Sequence, residues 1–412
     1  LHPRDTKNLV RVLQGLKDLG NTVVIVEHEE EIIESADYII DIGPFAGEHG
    51  GTVVFSGIQS KFKSNSGLTA SYLNGKKQIS IPTNRRPVKQ SICLSNAQLH
   101  NLKNVEIKIP LRQLVCITGV SGSGKSTLMK SLFYPALKQV IHDPKNTLYR
   151  GCSISGDLKA LKEIELIDQN PIGKSSRSNP ITYLKIFDEI RELYARQPLS
   201  KLRNYKPGFF SFNIEGGRCE ACAGEGLVTI GMQFMSDIQL KCTEFSGTRY
   251  KDETLEINYR DKSIADLLQM TLDDLFEFFA SSKDRKEQQI GQMIQPLLDV
   301  GLGYLRAGQA SSTLSGGEAQ RIKLAFYLSK GKNLSPTLFL FDEPSTGLHF
   351  YDIEKLLVSL QALIDNGHSI VVIEHNLDII KTADHIIDIG PEGGENGGTI
   401  LFNGSPEALI KI

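Results

Sequence analysis

The stretch LVCITGVSGSGKSTL, residues 114–128, joins an apolar run to a glycine-rich loop and then to the start of a helix. It has the pattern G-x-x-x-x-G-K-[ST], in which free backbone N–H groups surround phosphate oxygens. Lys125 is placed to reach the β- and γ-phosphates of a nucleotide, and Ser126 to bind Mg²⁺. A glycine-rich turn without a ligand is the alternative, and the flanking strand and helix argue against it. The predicted phosphate-binding residues are Gly119, Ser121, Gly122, Gly124, Lys125, Ser126 and Thr127.

A second apolar run, TLFLFDEP at 337–344, ends in two adjacent carboxylates. Asp342 is predicted to belong to the Mg²⁺ shell, and Glu343 to polarise the attacking water, because hydrolysis of a phosphoanhydride needs a positioned base. Taken alone, such a pair is more often a solvated strand end. Its significance comes from the motifs that accompany it.

The sequence LSGGEAQR at 314–321 precedes this run and predicts a helix whose first turn carries little side-chain bulk. Ser315 and the N–H groups of Gly316 and Gly317 can then meet a γ-phosphate presented by another domain. A capping box between Ser315 and Glu318 is the simpler interpretation, and the two are compatible.

Two more polar residues complete the predicted catalytic set of Glu343, His375 and Gln169. His375 follows the apolar run SIVVI and is a candidate contact of the γ-phosphate, although a lone histidine is more often structural. Gln169, in the sequence IDQNPIG, is a candidate sensor of water and Mg²⁺.

An internal repeat sets the organisation of the chain. The segment 20–57 recurs without gaps as 367–404, which places His28 on His375. Short β-branched runs alternate with amphipathic stretches in both copies, a pattern typical of a parallel sheet covered by helices, so the predicted fold class is α/β. We expect a remnant of a first copy over 1–57, a linker over 58–90, a second copy over 91–144 and 309–412, and an insertion over 145–308 that contains a zinc-knuckle-like segment over 216–250.

Composition excludes several classes of protein. With 40% hydrophobic and 23% charged residues, the chain has the composition of a globular protein. Its apolar runs end after about five residues, far short of the ~20 that a membrane-spanning helix needs. No signal sequence opens the chain, so we expect a cytoplasmic protein, and because the first residue is Leu1 we expect the chain to be incomplete.

The cysteines suggest a metal site in the insertion. CEAC at 219–222 is followed by Cys242, but Phe245 stands where a second C-x-x-C pair would have its last cysteine. Four thiolates close a tetrahedral zinc site, so Cys219, Cys222 and Cys242 lack one ligand. Two interpretations stay open: a degenerate module that binds zinc weakly, or a three-thiolate site completed by Glu244, Asp237, a water or a distant residue.

In their order along the chain, the phosphate loop, Gln169, LSGGE, DEP with STGLH, and the terminal histidine resemble the ATP-binding cassette ATPases. Longer stretches resemble the UvrA family among them: SNAQLHNLKNVEIKIP (95–110), IDQNPIGKSSRSNP (167–180), GFFSFNIEGGRCEAC (208–222), TLSGGEAQRIKLA (313–325), STGLHFYDI (345–353) and VIEHNLDIIKTADHIIDIGPEGG (372–394). The resemblance covers essentially the whole chain. It implies a complete second cassette, preceded by the end of a first one.

The same resemblance implies a damage-sensing ATPase of nucleotide excision repair, with ATP and Mg²⁺ as ligands and with zinc as an uncertain one. The implied partners are duplex DNA, a UvrB-like protein that docks outside this chain, and a missing N-terminal half or a second copy. No membrane partner is implied. A transporter ATPase subunit is the first alternative, but it does not explain the cysteines or the basic insertion. An inactive DNA-binding remnant is the second, and the intact nucleotide motifs argue against it.

The segment 174–206 is rich in basic residues, with eight of them against three acidic ones in a chain of net charge −2. Such runs are usually solvated faces. Here the basic residues are interleaved with Tyr194, Tyr205, Phe209 and Phe210, so the segment could follow a phosphate backbone. The family's insertion contacts duplex DNA, and by resemblance the candidate contacts are Lys174, Arg177, Lys201 and Arg203.

Overall fold

The computed structural model describes residues 3–47, 50–173, 177–232 and 238–411. They divide into two compact units: unit 1 extends to Asp168 and resumes at Lys330, and unit 2 is Gln169–Ser329. None of the helices in the described ranges is both long enough and apolar enough to cross a lipid bilayer. Lys174 and Asp237, named above as candidate ligands, lie outside the described residues.

The chain enters unit 1 through short helices and a β-hairpin. These elements are α1 (Pro3–Asp18), α2 (Glu30–Ser35), β1 (Tyr38–Gly43), β2 (Thr52–Ile58), α3 (Gln59–Phe62) and α4 (Leu68–Leu73). The next part of unit 1 contains β3 (Ser91–Ala97), β4 (Val105–Pro110), β5 (Leu114–Thr118), α5 (Tyr134–His142), β6 (Leu148–Tyr149), β7 (Cys152–Gly156) and β8 (Glu163–Ile167). A π-helical segment, Thr127–Phe133, leads from the phosphate loop into α5.

Unit 2 is mainly helical. Its elements are α6 (Pro180–Tyr183), α7 (Ile186–Ala195), α8 (Pro198–Leu202), β9 (Leu227–Ile230), β10 (Ile238–Lys241), α9 (Asp252–Leu255), β11 (Asn258–Tyr259), β12 (Lys262–Ser263), α10 (Ile264–Gln269), α11 (Leu272–Ala280), α12 (Arg285–Asp299) and α13 (Gly316–Lys330). The chain then returns to unit 1 with β13 (Thr337–Asp342), α14 (Phe350–Asp365), β14 (Ser369–Ile373), α15 (Leu377–Thr382), β15 (His385–Gly390), β16 (Thr399–Gly404) and α16 (Pro406–Leu409).

A six-stranded sheet in the order β16-β15-β5-β14-β13-β8 forms the core of unit 1. All of its neighbouring strands are parallel except β15 and β16. Every residue of β5 and of β14 is buried, as expected for strands covered on both faces. This sheet confirms the predicted α/β class. Its carboxyl edge carries the phosphate loop after β5, Asp342 at the end of β13, and His375 after β14.

The predicted insertion and unit 2 have different bounds. β8, within the segment 145–308, pairs with β13 in the sheet of unit 1. Conversely, the segment 309–329, which contains most of α13, lies in unit 2, whereas the sequence assigns it to the second copy of the repeat.

The first copy of the repeat forms only part of the corresponding sheet. β1 and β2 pair as β15 and β16 do, with an irregularity at the same repeat position. The run 22–26, which corresponds to β14, forms no strand, and Val24 and Val26 are 87% and 89% exposed. β14 lies between β5 and β13, and the first copy in this chain has no counterpart of either. A strand needs such neighbours to satisfy its backbone hydrogen bonds.

The segment 58–90, expected as a linker, is folded against the cassette. The Tyr72 ring stacks on Phe350 with centroids 5.5 Å apart, and its hydroxyl donates to Glu354 at 3.0 Å. Arg86 forms a 3.2 Å ion pair with Asp384, whose side chain is 3% exposed. The segment 58–90 is therefore part of the folded structure of unit 1 and is not a flexible connection.

Candidate nucleotide site and cysteine cluster

Two glycines of the phosphate loop lie so close to neighbouring residues that no Cβ atom fits at either position. Gly119 and Gly124 have φ of 134° and 110°, which other residues rarely adopt. A Cβ at Gly119 would lie 2.0 Å from the Ile389 carbonyl oxygen. Lys125 is 6% exposed, and its Nζ donates to the carbonyl oxygens of Gly119 and Val120, both at 2.8 Å. Its burial lowers the pKa of the ammonium.

The carboxylates at the end of β13 face the turn that follows β14. Glu343 has φ of 46°, a strained conformation for a residue with a side chain, and such strain often marks functional sites. Its Oε1 lies 3.6 Å from His375 Nε2. The interaction with His375 lowers the pKa of the Glu343 carboxyl, which is therefore ionised at neutral pH. The structure thus brings Glu343 and His375 together, because β13 and β14 are neighbouring parallel strands.

Lys130 also reaches this edge. It lies in the π-helical segment after the phosphate loop, and its Nζ donates to Asp342 Oδ2. A cation therefore already stands at the carboxylate predicted to bind Mg²⁺. Sequence reasoning missed Lys130 because no motif includes it and because its orientation depends on the local helix type.

Glu374 is a second residue that sequence reasoning missed. It is 2% exposed, and burial raises the pKa of its carboxyl. Its carboxylate accepts hydrogen bonds from the backbone N–H of Ser345 at 2.8 Å, His375 at 2.9 Å and Asn376 at 3.1 Å. Glu374 therefore joins the loop after β13 to the turn that carries His375. The signal that could have found it is Glu27, its counterpart in the first copy.

In unit 2, the start of α13 forms the capping box considered above. Ser315 N donates to Glu318 Oε2 at 2.8 Å, and Glu318 N donates to Ser315 Oγ at 3.2 Å. A Cβ at Gly316 would lie 2.9 Å from the Cβ of Gln169. Gly316 thus allows Gln169 to lie directly against the first turn of this helix. Gln169, Ser315, Gly316 and Gly317 all lie in unit 2, whereas the phosphate loop, Asp342, Glu343 and His375 lie in unit 1.

The three cysteines of unit 2 converge. Cys219, Cys222 and Cys242 are buried, and their sulfur atoms all lie within 4.8 Å of one another. Cys219 Sγ and Cys242 Sγ are 3.9 Å apart. In the described residues these thiols form the one such group of histidine, cysteine or carboxylate side chains that could hold a metal ion. Glu244, a candidate fourth ligand, is exposed and lies outside the group.

The candidate DNA contacts are in different environments. Lys201 is exposed on α8, whereas Arg203 pairs with Glu256 at 2.5 Å, and Arg177 donates to the Ala223 carbonyl at 3.4 Å. Two of the interleaved aromatic residues, Tyr194 and Phe210, are fully buried in the core of unit 2 and cannot meet DNA. Tyr205 and Phe209 stack on each other with centroids 3.7 Å apart and are partly exposed.

Comparison with known proteins shows similarity along the whole chain. UvrABC system protein A of Aquifex aeolicus (strain VF5) is 52% identical over 413 residues, which are 100% of this chain and 44% of that protein. The protein of the same name from Thermus thermophilus is 50% identical over 411 residues, or 99% of this chain and 42% of the relative. UvrA2 from Deinococcus radiodurans has a solved structure that matches with a TM-score of 0.90 at 40% identity, covering 99% of this chain and 48% of that one. No family model matches. The chain spans less than half the length of these relatives.

Proposed function

Since this chain is related along its whole length to UvrABC system protein A, we propose that it takes part in nucleotide excision repair as an ATP-hydrolysing sensor of damaged duplex DNA. The observation that carries the ATPase part is the meeting of the phosphate loop, Asp342, Glu343 and His375 at one edge of the sheet of unit 1. The DNA part rests on the relationship to UvrA and on the basic segment of unit 2.

At this edge, the chain's own residues have distinct tasks. The loop N–H groups and Lys125 would hold the β- and γ-phosphates, and Ser126 and Asp342 would hold Mg²⁺, which neutralises charge on the phosphate oxygens. The contact between Lys130 and Asp342 supports this assignment, because this carboxylate already attracts a cation. Glu343 stays ionised beside His375 and would orient the attacking water and accept its proton.

Three partners belong to the proposal: duplex DNA, a UvrB-like protein, and a second cassette from an N-terminal half or another copy of this chain. The direct test of the function is ATP turnover by the chain with undamaged duplex, with duplex carrying a bulky lesion, and without DNA. We expect stimulation by duplex DNA, larger with the lesion. A rate of ATP turnover that is the same with and without DNA, at every chain concentration, would contradict the proposed function.

Replacing both Lys201 and Arg203 by Ala should weaken binding to duplex DNA several-fold and to the same extent for every sequence. The reason is that phosphate contacts carry no sequence information, and losing them also lowers the salt dependence of binding. Fluorescence anisotropy with a labelled duplex at several salt concentrations measures both effects. Lys332→Ala, an exposed change in unit 1, is the matched control. Equal affinity of the double variant and this control at low salt would remove Lys201 and Arg203 from the DNA surface.

Lys130→Met should raise the apparent affinity of the ATP complex for Mg²⁺ by roughly three- to tenfold. The lysine ammonium and the metal ion compete for the same Asp342 carboxylate, and removing one cation favours the other. Titration of Mg²⁺ against a fluorescent ATP analogue bound to the chain measures the shift. Lys138→Met, an exposed change on α5, should leave the titration curve where it is. An unchanged midpoint for Lys130→Met would show that Asp342 does not bind the metal.

A further inference from the structure

The cysteine cluster of unit 2 has the spacing of a metal–thiolate site. Metal–sulfur bonds of about 2.3 Å place neighbouring sulfurs about 3.8 Å apart in a tetrahedral site and about 4.0 Å apart in a planar three-coordinate one. The 3.9 Å between Cys219 Sγ and Cys242 Sγ suits both geometries. In addition, Gly226 N donates to Cys222 Sγ at 3.2 Å, as a backbone amide does toward a sulfur that carries negative charge.

Two turns surround the cluster, one at 219–224 and one at 242–247. Each contains a left-handed residue followed by a left-handed glycine: Ala223 and Gly224 have φ of 48° and 80°, and Ser246 and Gly247 have φ of 49° and 70°. In the second turn the preceding residue, Phe245, is left-handed as well, with φ of 46°. The second turn therefore presents a phenylalanine at the position where the first presents Cys222.

Phe245 packs against the three cysteines and is partly buried. Phe245 occupies the position at which a second C-x-x-C pair would supply the fourth thiolate. Its ring offers only carbon atoms to the site, so it cannot act as a ligand. Structural zinc sites are almost always four-coordinate. The donor set on these two turns therefore does not fit zinc in its usual closed form.

The three sulfurs and Phe245 together define what the site offers a metal ion: three soft sulfur donors, with an apolar ring in place of a fourth ligand.

We propose that this site selects univalent copper, an ion for which three thiolates are a complete ligand set, and that Phe245 sets this preference over zinc. On binding, three S–H protons pass to solvent and three copper–sulfur bonds form, with no electron transferred. Because copper must arrive as Cu(I), the binding experiment requires anaerobic conditions and a Cu(I) chelate as the source.

The decisive variant is Phe245→Cys, which supplies the missing sulfur on the existing turn. We expect the ratio of Cu(I) affinity to zinc affinity to fall at least 100-fold, chiefly because zinc binds more tightly. Phe245→Leu keeps three thiols and an apolar cap, so its ratio should stay within threefold of that of the unchanged chain. Cys242→Ser should abolish tight binding of Cu(I) at this site and weaken zinc binding further.

Competition of the full chain with a Cu(I)-specific chelator and with a chromophoric zinc chelator gives the two affinities. X-ray absorption of the copper-loaded chain should report three sulfur neighbours. We also expect less than one zinc per chain after mild chelation. Full retention of zinc, with a four-ligand tetrahedral spectrum after cobalt substitution, would overturn the proposal. So would a selectivity ratio that is the same in Phe245→Cys and Phe245→Leu, once circular dichroism shows both variants folded.

Discussion

The rate of ATP hydrolysis per chain should be very low in dilute solution and should rise by about 10²-fold or more as the chain concentration increases. The resemblance to the ATP-binding cassette ATPases implies that each nucleotide is sandwiched between the phosphate loop of one cassette and the LSGGE helix of another. This chain holds one phosphate loop, with Lys125, and one such helix, with Ser315, both from the second copy of the repeat. A γ-phosphate bound at Lys125 would therefore miss its opposing donors until a second cassette arrives. Removing electrostatic donors of this kind commonly slows a reaction by ~10²-fold.

Turnover measured across a wide range of chain concentrations, at saturating ATP, provides the test. Glu343→Gln is the blank, because it removes the carboxylate and leaves the phosphate-binding groups in place. Mixing it with the unchanged chain is informative, since a mixed pair still offers the LSGGE helix of the variant to the intact site. A brisk rate that does not depend on concentration, and that Glu343→Gln abolishes, would show that one cassette is sufficient.

Replacing Glu374 by Ala should lower the free energy of unfolding by about 3 kcal/mol and reduce kcat at least tenfold. The change leaves the partly buried N–H groups of Ser345, His375 and Asn376 without this acceptor, and unsatisfied donors away from water are costly. It also frees the turn that holds His375 near Glu343. Because its carboxylate holds the backbone on which His375 lies, Glu374 acts as a positioning residue. Chemical denaturation and steady-state kinetics measure the two effects.

The conservative variant Glu374→Gln separates positioning from simple loss of stability. One oxygen of the carboxylate accepts Ser345 N, and the other accepts His375 N and Asn376 N, so a carboxamide can preserve only one of these sets. We expect intermediate stability and a lower kcat with nearly unchanged ATP affinity. Glu395→Ala, at an exposed position of the same unit, is the control. If kcat per folded molecule stays normal in Glu374→Ala, the residue has no role in positioning His375.

The parts of the site that sequence could predict are those fixed by local pattern or by the rules of parallel sheets. The phosphate loop is a continuous motif, and Asp342 and His375 each follow an apolar run, so that parallel strands place them at the same edge of the sheet. That β13 and β14 are neighbours is known only from the structure. Lys130 and Glu374 are different, because their contacts exist only after the elements have packed. Neither residue type nor spacing distinguishes Lys130 from the other lysines of the segment.

Burial explains two further differences between sequence and structure. Tyr194 and Phe210 lie in sequence among basic residues, which suggests contacts with DNA, yet both lie in the core of unit 2, where burial of apolar area determines their position. The run 22–26 has the composition of a buried strand, but composition alone does not supply the neighbouring strands that would bury it. The roles assigned to the site residues stay predictions, for the phosphate loop, Asp342, Glu343 and His375 as much as for Gln169, Ser315 and the basic residues.

The docked linker determines how the two cassette portions communicate. A flexible chain of this length would have a root-mean-square end-to-end distance of roughly 30 Å. The two cassette portions would then meet by diffusion, at an effective concentration in the millimolar range. Here Tyr72 and Arg86 attach the segment to α14 and to the turn before β15. The segment 58–90 is therefore fixed to the folded cassette. A displacement of α14 during binding and hydrolysis of the nucleotide would be transmitted through this segment to the β1–β2 hairpin, and little of it would be absorbed by flexible chain.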